Sequence, residues 1–318
     1  MPGSEPMTVT NLASKFAAAK EGSTLVLPPG RIAVRAPIVL EKSVRVRGAP
    51  DGTTVLEGGN ASGIFLLLGN GHSYTFETLT FQSAAGRLGG AITAPNRNSV
   101  AFEGCRFADN RTEIGGAAGV FHHARGFFRR CVFERNVSMC GGALGIGKDC
   151  DLTIDRCVFV DNKAEAGGAI FLDDSAALEV RSCTFLRNVA SRGECGHAMY
   201  VFGNPQDGPS SFISNSIFAE EDALSSDPGP GMVFLTHSVV PPGLFTRKGF
   251  KDVGNNMAGP VELVDLGGGA WALTRTSAAV GTADVNRIEP RAVDMRGARL
   301  IQGGPQGSRA SPGALAVS

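Results

Sequence analysis

The sequence predicts an all-β fold, a parallel β-solenoid with three strands per turn, and two observations carry that reading. Cys105, Cys131, Cys157 and Cys183 follow one another at intervals of 26 residues. Between them the apolar residues fall in short runs of alternating character, such as 152–154, 157–160 and 169–172, bounded by turn residues. Helices need longer runs of period 3.6, whereas a period of 2 belongs to strands. A unit of three strands repeated in register stacks each turn about 4.8 Å above the last.

The repeat is dense enough to fix the register. Each cysteine is followed by Phe107, Phe133, Phe159 or Phe185, and then by Asn110, Asn136, Asn162 or Asn188, so that the unit reads C-x-F-x-x-N. Gly-Gly-Ala comes next at 115–117, 141–143 and 167–169. One period earlier Leu79 replaces the cysteine, while Phe81, Gly89, Gly90 and Ala91 are kept; one period later an insertion shifts the pattern to Gly196, His197 and Ala198. Stacked turns convert these positions into ladders, with cysteine and phenylalanine inside and asparagine at a corner, where its amide bonds to the bent backbone.

Two columns of charge test the register independently. Glu103, Arg129, Asp155 and Arg181 alternate in sign, as do Asp109, Arg135, Asp161 and Arg187. Opposite charges on adjacent strands attract by roughly 0.2–1 kcal/mol a pair, and like charges repel. These charges therefore read as structural. The four ladder cysteines read as free thiols, because in-register side chains point the same way and meet disulfide geometry poorly. Cys140, Cys150 and Cys195 lie outside that column, and no convergent metal-ligand set accompanies them.

Composition limits the function classes. With 42% hydrophobic residues the 318-residue chain buries a real core, and 43 glycines with 17 prolines suit a turn-rich β fold. Thirty basic residues balance thirty acidic ones, which is not the footprint of a nucleic-acid binder. The longest apolar run, 64–68, is far short of the roughly 18 residues of a membrane helix. Residues 1–20 are broken by Pro2, Glu5, Pro6 and Lys15 and do not read as a secretory leader.

A solenoid needs caps. Thr10 and Asn11 offer helix N-caps, and Leu12 and Phe16 share a face, so residues 10–20 predict a short amphipathic lid within an amino-terminal segment 1–22. The coil then spans 23–220, its early turns irregular. Beyond Phe218 the period is lost, and 221–318 is expected to form short strands and loops of the same domain, laid over the far end.

The paired repeats, as at 159–162 and 167–170, resemble those of chlamydial polymorphic outer membrane proteins and of bacterial right-handed parallel β-helix proteins of the pectate-lyase-like superfamily. Segments 277–284, 294–299 and 312–315 are similar to the end of the choice-of-anchor Q β-helix proteins. The resemblance implies a single right-handed parallel β-helix, an extracellular or cell-surface setting, and a polysaccharide or cell-surface glycan as partner. The sequence leaves a cytoplasmic location open. No cofactor is implied, and calcium dependence is not legible.

Chemistry is expected in two polar columns after the Gly-Gly-Ala strand. One holds Asn96, His122, Lys148 and Asp174; its neighbour holds Arg97, His123, Asp149 and Ser175, with Asp173 adjacent. They mix imidazole, amine and carboxylate over consecutive turns. Lys148 or an arginine neutralises a uronate carboxylate while His122 or His123 takes the C5 proton, which serves a lyase or an epimerase. Asp149 with Asp173 or Asp174 supplies the two carboxylates of a retaining hydrolase. The competing reading is a turn dressed in solvated polar residues. His197, on the disturbed turn, and the outward rings Phe171 and Tyr200 complete a glycan-binding set with Asn96 and Arg97; Phe171 and Tyr200 share their column with Thr93, Gly119 and Gly145. The alternative function is a non-catalytic adhesin or structural binding module. An ice-surface binder is disfavoured, since Thr93 has no threonine partners in its column.

Overall fold

The computed structural model describes residues 9–173, 175–202, 211–227, 232–259, 261–267, 270–274, 283, 301–304 and 307–310. Each turn of the chain lays a strand on one of three parallel sheets in succession. Among the described residues the first sheet has ten strands, from Ser23–Val26 to Phe250–Asp252, and the second has ten, from Gly30–Ala33 to Met257–Ala258. The third has eight, from Ile38–Leu40 to Leu224–Ser226. Short parallel pairs join the second sheet to the third: Ala85–Leu88 with Arg111–Ile114, and Lys163–Ala164 with Val189–Ala190. No helix among the described residues is long and apolar enough to cross a membrane.

The 26-residue register holds through the middle turns. Phe107 pairs with Phe133, Phe133 with Phe159 and Phe159 with Phe185. Their buried rings stack at 4.8, 4.8 and 4.7 Å, close to the strand spacing. A second buried ring column, absent from the sequence reading, descends from the first sheet: Phe76, Phe102 and Phe128 stack at 5.0 and 4.7 Å and meet the other column edge-on, as Phe102 meets Phe107 at 5.5 Å.

Backbone groups at the corners are satisfied by the ladders. The Asn136 carboxamide oxygen accepts the Asn110 backbone N–H and side-chain N–H, both at 3.0 Å, while its own amide donates to the Phe107 carbonyl at 2.9 Å. Asn162 and Asn188 repeat the pattern. All seven cysteines are thiols outside any disulfide, and the ladder sulfurs accept backbone N–H groups from the turn below, at 3.4 Å from Cys131 to Cys157 and again from Cys157 to Cys183.

That last bond explains how far the coil runs. The sequence places its end near residue 220, yet the parallel ladders continue to Ala258. Ser216 Oγ accepts the Cys183 N–H, Ser238 Oγ the Ser216 N–H, and Asn256 Oδ1 the Ser238 N–H, at 3.1, 3.1 and 3.0 Å. The role of the cysteine survives while its identity changes. The turns also shorten: Ser211 pairs with Val233 and Val233 with Phe250, 22 and 17 residues apart, and the last carries a 3-10 turn, Leu244–Thr246, in place of a third-sheet strand.

The charge columns resolve into specific pairs. Arg129 lies between Asp155 and Glu103 at 3.3 and 4.0 Å, whereas Arg181 turns to Glu179 at 3.8 Å. Arg135 forks onto Asp109 at 2.8 and 2.9 Å, and Arg187 onto Asp161 at 2.7 and 2.5 Å. These four residues hold φ of 52–56°, so the second charge column is a left-handed backbone corner.

Helix Val9–Ala18 caps the amino-terminal end, with Leu12 and Phe16 buried and Phe16 edge-on to Phe65 at 5.3 Å. Thr10 and Asn11 lie within the helix, not ahead of its first residue. Beyond the last ladder, Val261 and Leu263 pack on the outward side of the second sheet against Ile217 and Val239, and Leu263 also packs on the pair Val158 and Val160. These two residues lie along the flank of the coil, and outward Val158 is fully buried there. Antiparallel hairpins follow at Leu263–Gly267 with Ala270–Leu273 and at Ile301–Gly304 with Gly307–Ala310. Apart from Ala283, the segments 277–284, 294–299 and 312–315 lie outside the described residues.

Candidate functional site

The polar columns after the Gly-Gly-Ala strand occupy the third corner of the coil. His123, Asp149 and Ser175 have φ of 52, 55 and 64°, the left-handed region that short polar side chains enter most readily. His123 and Asp149 are vertical neighbours as the sequence predicts, but they face each other: Nδ1 lies 3.2 Å from the carboxylate, and the His123 N–H donates to the Lys148 carbonyl at 2.9 Å. Both side chains are about half exposed, at 43% and 53%. An exposed pair of this kind is worth under about 1 kcal/mol. His123→Ala is therefore expected to change neither the unfolding free energy by more than that nor any activity of the protein, as urea titration and turnover assays would read.

The other column divides. His122 lines a cleft of about 140 Å³ on the outer side of the third sheet, together with Ile114, Gly115, Cys140, Gly145, Ile146, Gly147, Phe171 and Asp173. Thus His122, Asp173 and Phe171 meet at one place. Lys148 is exposed and not part of the lining. Asp174 lies outside the described residues. Asn96 does not reach the cleft, since its amide donates to the Leu68 carbonyl at 2.7 Å and ties down the turn below; Arg97 is exposed, away from the lining.

The remaining candidates have structural work. The His197 Nδ1 accepts the Ala190 N–H at 3.0 Å, and its backbone N–H donates to the Asp222 carbonyl at 2.8 Å, so the histidine braces the disturbed turn. Tyr200 pairs with Phe171 in register, but its ring is buried and its hydroxyl donates to Asp227. Burial first, and then the Asp227 carboxylate, push the phenol well above its usual range. Tyr200 therefore supports the face and offers no open ring. The exposed ring beside Phe171 is Phe202, 5.8 Å away and 47% accessible.

Local backbone shapes the cleft. Gly145 pairs with Phe171, and its N–H donates to the Gly115 carbonyl at 3.1 Å. A Cβ at 145 would stand 2.4 Å from Gly115 Cα, so only glycine allows that approach. One turn lower the register slips: Ile92 pairs with Ala118, yet Ala94 pairs with Phe121, so an extra residue enters the strand before His122. Such a bulge re-aims the side chains after it. Thr93 lies opposite this slip, and its Oγ1 donates to the Leu88 carbonyl at 2.5 Å.

Ile114 and Cys140 are among the lining residues that sequence reasoning missed. The signal was present, since Leu88 pairs with Ile114 and Cys140 bridges Ala166 in one apolar column. Burial, followed by the Glu165 carboxylate, raises the Cys140 thiol, so it remains protonated at neutral pH and contributes an apolar surface. No group of three or more histidine, cysteine, aspartate or glutamate side chains among the described residues is arranged to hold a metal.

Comparison with known proteins agrees with this architecture. Residues 53–218 match the model of a family described as "Right handed beta helix region". No curated protein matches the chain. A solved structure described as "a new PL6 alginate lyase complex with trisaccharide" is similar at a TM-score of 0.34 and 12% identity, covering 91% of each chain. The stacked parallel sheets and a family match over more than half of the length make one conclusion: this chain belongs to the right-handed β-helix family.

Proposed function

We propose that the protein is a carbohydrate-active β-helix that holds a polysaccharide along the outer face of its third sheet, with the His122 cleft as the central subsite. One observation carries this reading: on a face of short flat strands, an aromatic ring, an imidazole and a carboxylate line a single cleft at Phe171, His122 and Asp173. A sugar ring has an apolar face that suits Phe171 and hydroxyls that suit the two polar groups. The cleft is smaller than the roughly 300–1,000 Å³ of enclosed ligand pockets, so contacts must continue along the open face, as a polymer permits. In this arrangement His122 is the proton acceptor and Asp173 the second polar contact on the ring.

A non-catalytic binding module is the second reading, supported by the pairing of His123 with Asp149, which occupies two of the expected catalytic groups with each other. Incubation with a panel of acidic and neutral polysaccharides separates the two. Reducing ends and the ultraviolet absorbance of unsaturated uronates report cleavage, and calorimetry reports binding. Phe171→Ala is expected to weaken binding about tenfold, because a covered ring face removes on the order of 50 Å² of apolar surface from water. His122→Ala is expected to lower turnover about a hundredfold with little change in affinity. Binding without turnover in the native protein would favour the module, and no binding to any member of the panel would overturn both readings.

A further inference from the structure

The outer face of the first sheet carries a patch that the glycan reading does not use. In one column Glu179 pairs with Phe212, Phe212 with Phe234 and Phe234 with Lys251, each on the next turn. Their neighbours along the strands, Leu178 and Val180, Ser211 and Ile213, and Val233 and Leu235, point inward and are buried, so the four members of the column point out. Phe212 is 50% exposed, the Glu179 side chain is 47% exposed, and Lys251 lies open. The two rings stack on each other at 5.1 Å with 15° between their planes, and the Lys251 ammonium sits over Phe234, 5.9 Å from its centroid. Both faces of Phe234 are thereby covered, and what the pair leaves open is chiefly ring edge. A sugar stacks on a ring face, whereas the edges of a stacked pair suit other aromatic rings, whose quadrupoles favour edge-to-face and offset contact.

Charge completes the pattern. Along the axis of the coil the column runs acid, ring, ring, base, and it is therefore complementary to its own reverse. A two-fold axis parallel to the strands, passing between the turns of Phe212 and Phe234, sets the partner's Phe234 against Phe212 and the partner's Lys251 against Glu179, and the same contacts recur in the opposite sense. We infer that the partner of this patch is a second copy of the chain, docked face to face on the first sheet with the two coils antiparallel. A closed two-fold pair is the commonest symmetry of soluble oligomers. Sheets packed face to face lie about 10 Å apart, a gap that two rings, or a lysine and a glutamate, can span. Arg181 holds the Glu179 carboxylate only at 3.8 Å, and both side chains are open to solvent, so the carboxylate is available to the partner's lysine. Three strand spacings make the column about 14 Å tall. Such a patch is smaller than the roughly 800 Å² per partner of a standard interface, so the pair forms and parts with concentration. The His122 cleft lies on the third sheet and takes no part.

Sedimentation equilibrium of the full chain at low salt provides the test. Between about 10 µM and 1 mM the mass is expected to rise from that of one chain towards that of two. Phe212→Asp, an outward substitution whose folding a thermal melt verifies, should leave one chain at every concentration. Glu179→Lys and Lys251→Glu each set like charges opposite one another twice in the dimer and should weaken it about tenfold. The double substitution restores opposite charges and should recover most of the native affinity. The mass of one chain throughout, assembly beyond two chains, or association that Phe212→Asp leaves unchanged would overturn the inference, as would single swaps that the double one fails to rescue. If the native protein stays as one chain and Phe212→Asp abolishes its binding to a polysaccharide, the patch belongs to a glycan and the dimer is overturned.

Discussion

Phe133→Ala is expected to remove about 3–5 kcal/mol of stability, the range for truncating a fully buried aromatic. Phe133 is fully buried, lies 4.8 Å from both Phe107 and Phe159, and meets Phe128 edge-on at 5.6 Å. The void left by the ring has little means of collapsing. Above and below it the strands are held at the sheet spacing by backbone bonds and by the asparagine amides, and the neighbouring rings are fixed by rings of their own. In a stacked array each turn contacts only its neighbours, so a defect in the middle weakens two interfaces at once. Phe218→Ala provides the control, because that ring stacks on Phe185 at 4.7 Å near the end of the column; its loss should cost about half as much. Urea denaturation followed by circular dichroism measures both. A central substitution that costs under about 1 kcal/mol, or no more than the terminal one, would mean that the ring ladder does not hold the turns together.

The middle of the fold was legible because in-register stacking asks the same thing of each position on every turn. Cysteine, phenylalanine and asparagine therefore recur, and the alternating charges at Asp109, Arg135, Asp161 and Arg187 follow from adjacency alone. The last turns were not legible, since an acceptor for the N–H of the turn below is all that the corner needs, and Ser216, Ser238 and Asn256 supply it as well as cysteine does. Cover by the carboxy-terminal segment was hidden for a related reason: Val158, Phe159 and Val160 break the alternation, but nothing local says what buries the outward pair. At the site, the corner column of His123 and Asp149 was readable from spacing, while the cleft was not. It depends on a bulge before His122 and on the apolar residues Ile114 and Cys140, whose chemistry draws no notice in a search for acids and bases.

Glu220→Gln is expected to stabilise the protein by about 3 kcal/mol more at pH 8.5 than at pH 4.5. The register that pairs Phe185 with Phe218 carries Glu220 onto the column of Asp161 and Arg187, as its next member. The position is a poor one for a charge, because both carboxylate oxygens are closed off from water. Burial is the main cause that raises the carboxyl to about 7; the backbone N–H groups of Glu220 and Asn188 and then the Arg187 guanidinium, itself forked onto Asp161, oppose it, and Asp161 adds to it. In the unfolded chain a glutamate titrates near 4.3. Between these two values the folded state holds more protons than the unfolded one, so stability falls as the pH rises through that window, and the loss is complete above the folded value. Glutamine does not titrate and escapes this loss. Because the cost of burying its amide is the same at every pH, the change with pH in the difference between the two proteins isolates the ionisation of Glu220. Urea midpoints of both proteins across that range provide the measurement. Parallel curves would show that the carboxylate finds solvent or a partner when it ionises, and that the alternating column extends to Glu220 without penalty.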